Sequence, residues 1–256
     1  MATILKPRPV REQVSAEEWA LRQELACAFR FAHAQGWDDL VFTHFSARVD
    51  DEPLSFLINP FDLLFEEITA SSLSKLDRDG KALIDNGFAT NQAGYVIHSA
   101  IQMARPDARV VMHLHTVAGT AVAAMAEGLL PLSQAAAQIL PEVAYHDYEG
   151  IAVDTAERER LVADLGDKSL MILRNHGTLA VGRTVGQAMT KLYFLERACA
   201  MQVAALSGGR PLVETPPESI AQAHGFGEKT LGFIGDGLVW PAIRRRMERL
   251  DASFLD

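Results

Sequence analysis

The sequence lacks most of what would mark a secreted, membrane-spanning or nucleic-acid-binding protein. Its 256 residues hold two cysteines, Cys27 and Cys199, far apart and outside any CxxC pair. Reduced thiols buried as small apolar side chains are the simplest reading of them. No apolar run reaches the roughly 20 residues needed to cross a bilayer. The opening Met1-Ala2-Thr3-Ile4-Leu5-Lys6-Pro7 has no signal-type apolar core. Basic residues are in deficit, 24 Lys and Arg against 33 Asp and Glu for a net charge of −9. That excludes the broad basic face a phosphate backbone requires, without excluding a local basic pocket. Internal repeats and low-complexity tracts are absent. A cytoplasmic enzyme is therefore expected. What is present, 48% hydrophobic and 22% charged residues, is ordinary for a globular chain that can bury about three quarters of its unfolded surface.

The punctuation of the chain predicts an α/β domain. Ser15-Ala16-Glu17-Glu18 is a capping box that starts a helix running to about Gln35, with Gly36 as its stop. Residues 1–14, with two prolines, are expected to be an extended arm. Residues 40–49 predict a half-exposed strand and 55–58 its hairpin partner, broken by Asn59-Pro60. Residues 72–76 and 82–84 predict a second hairpin across Asp77-Arg78-Asp79-Gly80. Helices are expected at 92–104, ended before Pro106, at 118–126 and at 155–165. A second capping box at 184–187 begins a long helix to about Leu206. Residues 131–139 read as a loop with a helical turn. Short strands are expected at 143–146, 170–173 and 178–181. Beyond Gly208-Gly209, three prolines mark an arm that becomes helical from Trp240 to about Leu250. The division expected is an arm (1–14), one domain (15–210), and a C-terminal arm and helix (211–256). Gly225-Phe226-Gly227-Glu228-Lys229-Thr230 lacks the spacing and the preceding strand of a phosphate loop.

The most informative stretch is residues 105–116, a helix end, a turn and a short buried strand closing on His113-Leu114-His115. Side chains alternate along a strand, so His113 and His115 share a face, about 7 Å apart at Cα, while Leu114 points into packing. Two imidazoles so placed can meet on one divalent ion, which needs a third protein ligand and an open position. His176, at the turn between two further buried strands, is the candidate. The alternative is that all three are hydrogen-bonded structural histidines.

Several blocks together, Gln92-Ala93-Gly94-Tyr95 through His98-Ser99-Ala100, Arg105-Pro106-Asp107, His113-Leu114-His115-Thr116, Val143-Ala144-Tyr145-His146-Asp147-Tyr148 and Leu173-Arg174-Asn175-His176-Gly177, resemble the class II aldolase/adducin family, its adducin-like branch in particular, over residues 15–210. The resemblance implies a three-layer α/β/α sandwich with a mostly antiparallel central sheet. It implies a ring-shaped homotetramer with active sites at subunit interfaces. It also implies a divalent metal on His113, His115 and His176, most often Zn²⁺, although Fe²⁺, Co²⁺ or Mn²⁺ also suits three imidazoles. The activity it implies is that of a lyase: aldol-type cleavage or decarboxylation next to a carbonyl, on a small carbonyl or hydroxy-acid substrate. A non-catalytic adducin-like interaction module, or an epimerase or dehydratase on the same site, are the other functions it accommodates.

The chain departs from the sugar-phosphate aldolases of that family in three places. Their Ser-Ser-Glu, which holds phosphate and supplies the acid/base, is Ala93-Gly94-Tyr95 here. Tyr95 is the candidate for proton transfer, a poor base at its ordinary pKa near 10 unless a cation lowers it. Their small glycine turn is Ile58-Asn59-Pro60-Phe61-Asp62, where Phe61 and Asp62 would crowd and repel a dianion. Their Gly-Asn pair is replaced within Thr43-His44-Phe45-Ser46. A non-phosphorylated, carboxylated or aromatic ligand is therefore expected, with His44, Asn59 and His98 as contacts and Arg48 as a further cation. His98 lies one helical turn after Tyr95, so both are expected to face one pocket. His146, Asp147 and Tyr148 form a polar cluster, and Arg244-Arg245-Arg246 a solvated helix face or a subunit contact.

Overall fold

The computed structural model describes residues 8–51, 53–150 and 155–256. Seven strands form one sheet in the order β3-β2-β1-β4-β7-β6-β5. They are β1 (His44–Asp51), β2 (Leu54–Ile58), β3 (Ser74–Asp77), β4 (Val110–Leu114), β5 (Val143–His146), β6 (Leu170–Leu173) and β7 (Gly177–Gly182). Every neighbouring pair is antiparallel except β5 and β6.

Alternation along β4 sorts the layers. Val110, Met112 and Leu114 enter a large core shared with helices α1 (Ala16–Ala34), α3 (Val117–Ala123), α4 (Gln134–Ile139) and α6 (Val185–Ser207). Val111 faces the other side, where α2 (Gln92–Ala104) and α5 (Thr155–Leu165) cover the sheet through Ile97, Ile101, Leu161 and Leu165. Helices thus lie on both faces of a mostly antiparallel sheet, the α/β/α arrangement the sequence implies. The larger core is centred on stacked and edge-on rings of Phe29, Phe45 and Phe65, with centroids 4.7–5.4 Å apart.

Helix α1 begins as the capping box predicts, with Ser15 Oγ accepting from the Glu18 amide at 3.1 Å. Its Arg22 is fully buried. Arg22 donates to Glu18 Oε1 (2.9 Å) and to the carbonyls of Ala70 and Leu73 (3.1 and 2.8 Å), joining the helix to the loop before β3.

The structure corrects three local expectations. Residues 40–43 are not strand: Phe42 donates to the Asp39 carbonyl in a turn, and Leu40 has φ +50°. Residues 82–84 make only a single bridge, Leu76 to Ala82. Asp77 Oδ1 there takes the amides of Asp79 and Lys81, which tightens the turn and lets the chain leave. The C-terminal arm is largely helical, with α7 (Pro217–Ile234), a π-helical turn (Gly235–Val239) and α8 (Trp240–Leu250) in succession. Gly225, Gly227 and Gly232 depress the helical reading of α7. Gly227 is needed, however, since a Cβ there would lie 2.7 Å from the Gln138 carbonyl of α4. Residues 1–7 of the expected N-terminal arm fall outside the described residues; residues 10–12 form a 3₁₀ turn. No helix among the described residues is long and apolar enough to cross a membrane.

Arg22→Ala is expected to lower the unfolding free energy by about 3 kcal/mol in urea titration, because it leaves the buried Glu18 carboxylate with Lys75 alone and takes a donor from two carbonyls.

Candidate metal centre

Pairing between β4 and β7 builds the centre. Leu114 lies opposite Thr178 and His113 opposite Leu179, so the end of β4 meets the tight turn that carries His176. That turn holds Asn175 in the left-handed region at φ +55°, a conformation asparagine tolerates. Gly177 follows because a Cβ there would collide with the Leu114 carbonyl oxygen and stand 3.1 and 3.3 Å from the rings of His115 and His113. The close approach of the two segments depends on that missing side chain.

Three imidazoles converge as a result. The ring centroids of His113, His115 and His176 lie 4.6–4.8 Å apart, and one nitrogen from each falls within 4.8 Å of the others. Tautomers follow from the partners. His113 Nδ1 donates to the Thr178 carbonyl at 2.9 Å, since a carbonyl can only accept. His115 Nδ1 lies 3.0 Å from the Asp39 carboxylate, which likewise accepts. With one proton on each ring, both Nε2 atoms are lone-pair acceptors, facing each other at 2.8 Å. Two acceptors at that distance repel unless a cation lies between them. Burial, then repulsion from the neighbouring imidazoles, holds His113 well below the usual histidine range and pushes His176 down to about 4. Burial thus disfavours a proton on His113 and on His176 at neutral pH. Neutral imidazoles with hydrogen-bonded outer nitrogens are what a divalent metal requires, so the donor set fits.

Behind the cluster lies a residue that sequence reasoning missed. Glu196 of α6 is buried (3% exposed) and accepts hydrogen bonds from the hydroxyls of Thr116 and Thr178. Thr116 follows His115 and caps α3 through the Gly119 amide, while the Thr178 carbonyl fixes His113. One carboxylate thus ties together the segments that carry the imidazoles. Burial raises its pKa. A glutamate on an otherwise apolar helix face, at position 12 of a 23-residue helix, was the available signal.

His44 lies directly opposite His113 across β1 and β4, its ring tilted against that of His113 with centroids 5.1 Å apart. Its Nδ1 is 2.9 Å from His98 Nε2, and His98 Nδ1 is 2.8 Å from Ser46 Oγ. The two histidines form a buried chain leading away from the cluster, both held well below the usual range chiefly by burial. Gly94 makes room for it, since a Cβ there would sit 2.6 Å from the His44 ring.

The expectation that Tyr95 and His98 face one pocket is corrected. The Tyr95 ring packs on Phe56 (5.8 Å), and its hydroxyl is shared between the carbonyls of Asp77 and Arg78 at 2.8 and 2.6 Å. Burial raises its pKa, opposite to what a base needs. Asn59 is fully buried and spends its amide on the carbonyls of Thr43 and Pro60, both at 3.3 Å. It thereby holds the Thr43 carbonyl, one residue before His44. Arg48 is bonded to the carbonyls of Gln102 and Arg105. His146 Nδ1 pairs with Asp164 at 2.7 Å, and Tyr148, half-exposed, stands 6.5 Å from the His176 ring. Arg244 pairs with Glu24 and Glu248. Both cysteines are buried, with Cys27 pushed up to about 12 by burial.

The family model for the Class II Aldolase and Adducin N-terminal domain matches residues 23–203, and the chain belongs to that family. Rat alpha-adducin is 48% identical over 199 residues, 76% of this chain and 27% of adducin. A solved aldolase II superfamily protein from Pseudomonas syringae is 50% identical, covering 97% of this chain and all of the other, with a TM-score of 0.91. The L-fuculose 1-phosphate aldolase of Glaciozyma antarctica is 26% identical over 93% of this chain and 92% of its own, with a TM-score of 0.81.

The lowered histidines fix a pH dependence. In the unfolded chain they titrate near 6.5, whereas folded His176 titrates at about 4. Below 6.5 the unfolded state binds the extra proton, so stability falls as pH falls. Metal-free protein is expected to lose melting temperature steadily from about pH 6.5 to pH 4, and His176→Ala to flatten that slope in a pH series of melts.

Proposed function

We propose that the chain is a metal-dependent lyase that cleaves or decarboxylates a small, non-phosphorylated carbonyl or hydroxy-acid substrate next to its carbonyl. The observation that carries this is the convergence of three imidazole nitrogens within 4.8 Å of one another. His113, His115 and His176 hold the metal, with zinc the first choice for an all-imidazole set. When bound, it supplies a Lewis acid that stabilises negative charge developing on a substrate oxygen. His44, its ring held by His98 and Ser46, orients a ligand oxygen beside the His113 ring. His98, 1% exposed, acts through His44, and Asn59 acts by holding the Thr43 carbonyl. Tyr95 keeps a bracing role at the β3 turn. The loop bearing Phe61 and Asp62 favours an unphosphorylated ligand: Asp62 accepts from the Ala89 amide at 3.1 Å and adds negative charge.

The rim of the centre is unusually apolar and exposed for a monomer. Leu40, Phe42 and Val117 are 64%, 53% and 88% exposed, and Phe42 and Phe61 touch edge to face at 6.3 Å. This supports subunits that close each other's sites; the assembly proposed is a homotetramer of the 15–210 domain, working in the cytoplasm. The adducin relative, which matches across a quarter of its own length, and the missing acid/base carboxylate favour a second reading, an interaction module that keeps the metal without turnover.

Metal analysis after purification without added metal, with a screen of 2-keto and hydroxy acids, tests the proposal. The expected result is about one divalent ion per chain and turnover of at least one such acid. His113→Ala is expected to lose both while the oligomer, measured by light scattering, stays intact. Metal without turnover gives the second reading; neither metal nor metal-induced stabilisation removes the proposal.

A further inference from the structure

At the end of the sheet opposite the histidines, where β4 and β6 begin and β7 ends, lies a cavity of about 530 Å³. That volume suits a small metabolite. Four charged side chains line it: Asp107, Glu142, Arg183 and Lys191. The two carboxylates are already engaged. Asp107 receives a forked pair of bonds from Arg105 at 3.2 and 2.6 Å, and Glu142 accepts from Ser169 at 3.0 Å. Of the nearby cations, Arg105 is further bonded to the carbonyls of Gly166 and Lys168, and the Lys168 ammonium to that of Pro141.

The two lining cations are different. Neither the Lys191 ammonium nor the Arg183 guanidinium takes part in a hydrogen bond or ion pair among the described residues, yet both face the cavity. Lys191 is only partly exposed, and burial lowers its pKa, with Glu142 opposing. An ammonium withdrawn from water without a partner is a costly arrangement that a bound anion would relieve. Ile139, Leu170 and Leu231 give the remaining wall an apolar part, beside the polar Gln138 and Ser169, and Gly232 of α7 leaves open space where a side chain would intrude. Arg183 also borders a second hollow, lined by Arg48 and Arg109 together with Glu17 and Glu18.

We propose that this cavity binds a small organic anion, a carboxylate or phosphate ester with a compact apolar body, held by Lys191 and Arg183 and separate from the metal centre. The carboxyl or phosphoryl oxygens meet the two unspent donors, and the body rests on Ile139, Leu170 and Leu231.

Calorimetric titration of the full chain with inorganic phosphate and, separately, with succinate tests this at low ionic strength. At least one probe is expected to bind; phosphate alone indicates the ester class, succinate alone the carboxylate class. Lys191→Met and Arg183→Met are each expected to weaken binding at least about tenfold. Arg245→Met, which removes an exposed charge on α8, and His113→Ala are expected to leave it unchanged. Arg183 is exposed, so its variant decides the matter if Lys191→Met melts early. Binding of neither probe overturns the proposal. So does binding that survives in the Lys191 and Arg183 variants, and so does binding that disappears in His113→Ala, which would assign the anion to the metal centre.

Discussion

Two acceptor nitrogens, His113 Nε2 and His115 Nε2, face each other at 2.8 Å because the opposite nitrogen of each ring is committed elsewhere. That opposition is the constraint around which the molecule is arranged. It arises in the backbone, where the antiparallel pairing of β4 with β7 brings Leu114 to Thr178 and carries His176 within reach. It survives because Gly177 has no side chain to push the strands apart. Glu196 then locks the two segments from the core side through Thr116 and Thr178. A buried carboxylate retained for this purpose costs stability on its own, and its two hydroxyl donors offset that cost.

The electrostatics of the two ends of the sheet are opposite in kind. At the histidine end, burial disfavours protonation of His113 and His176, so their lone pairs are free to meet a metal cation. At the far end, partnered carboxylates leave Lys191 and Arg183 as excess donors, which suits an anion. Both sites are defined by hydrogen-bonding capacity left over once every local partner has been counted.

The fold class was legible because its signals are local. Capping residues placed α1 and α6 (Ser15 and Thr184 each accept from the amide three residues on), and short apolar runs placed β4, β6 and β7. The histidine cluster was legible as well, from alternation on a strand and a histidine at a turn. Tyr95 was misplaced because i to i+3 spacing gives the helix face but not the rotamer. The Phe56 ring and two carbonyls draw the phenol toward the β3 turn. Glu196 was invisible because its meaning lies in threonines 80 and 18 residues away. Helix α7 was hidden by three glycines, and the need for one of them, Gly227, appears only where α7 crosses α4. The Lys191 cavity depends on helices from three parts of the chain and has no sequence motif.

X-ray absorption at the edge of whichever metal co-purifies with the chain tests the central claim most directly, because it reads the donor atoms without reference to activity. The account predicts a shell containing three imidazole nitrogens at about 2.0–2.1 Å if the metal is zinc, with the ring scattering of histidine beyond it. A shell of oxygens alone, or one containing sulfur from Cys27 or Cys199, would contradict it.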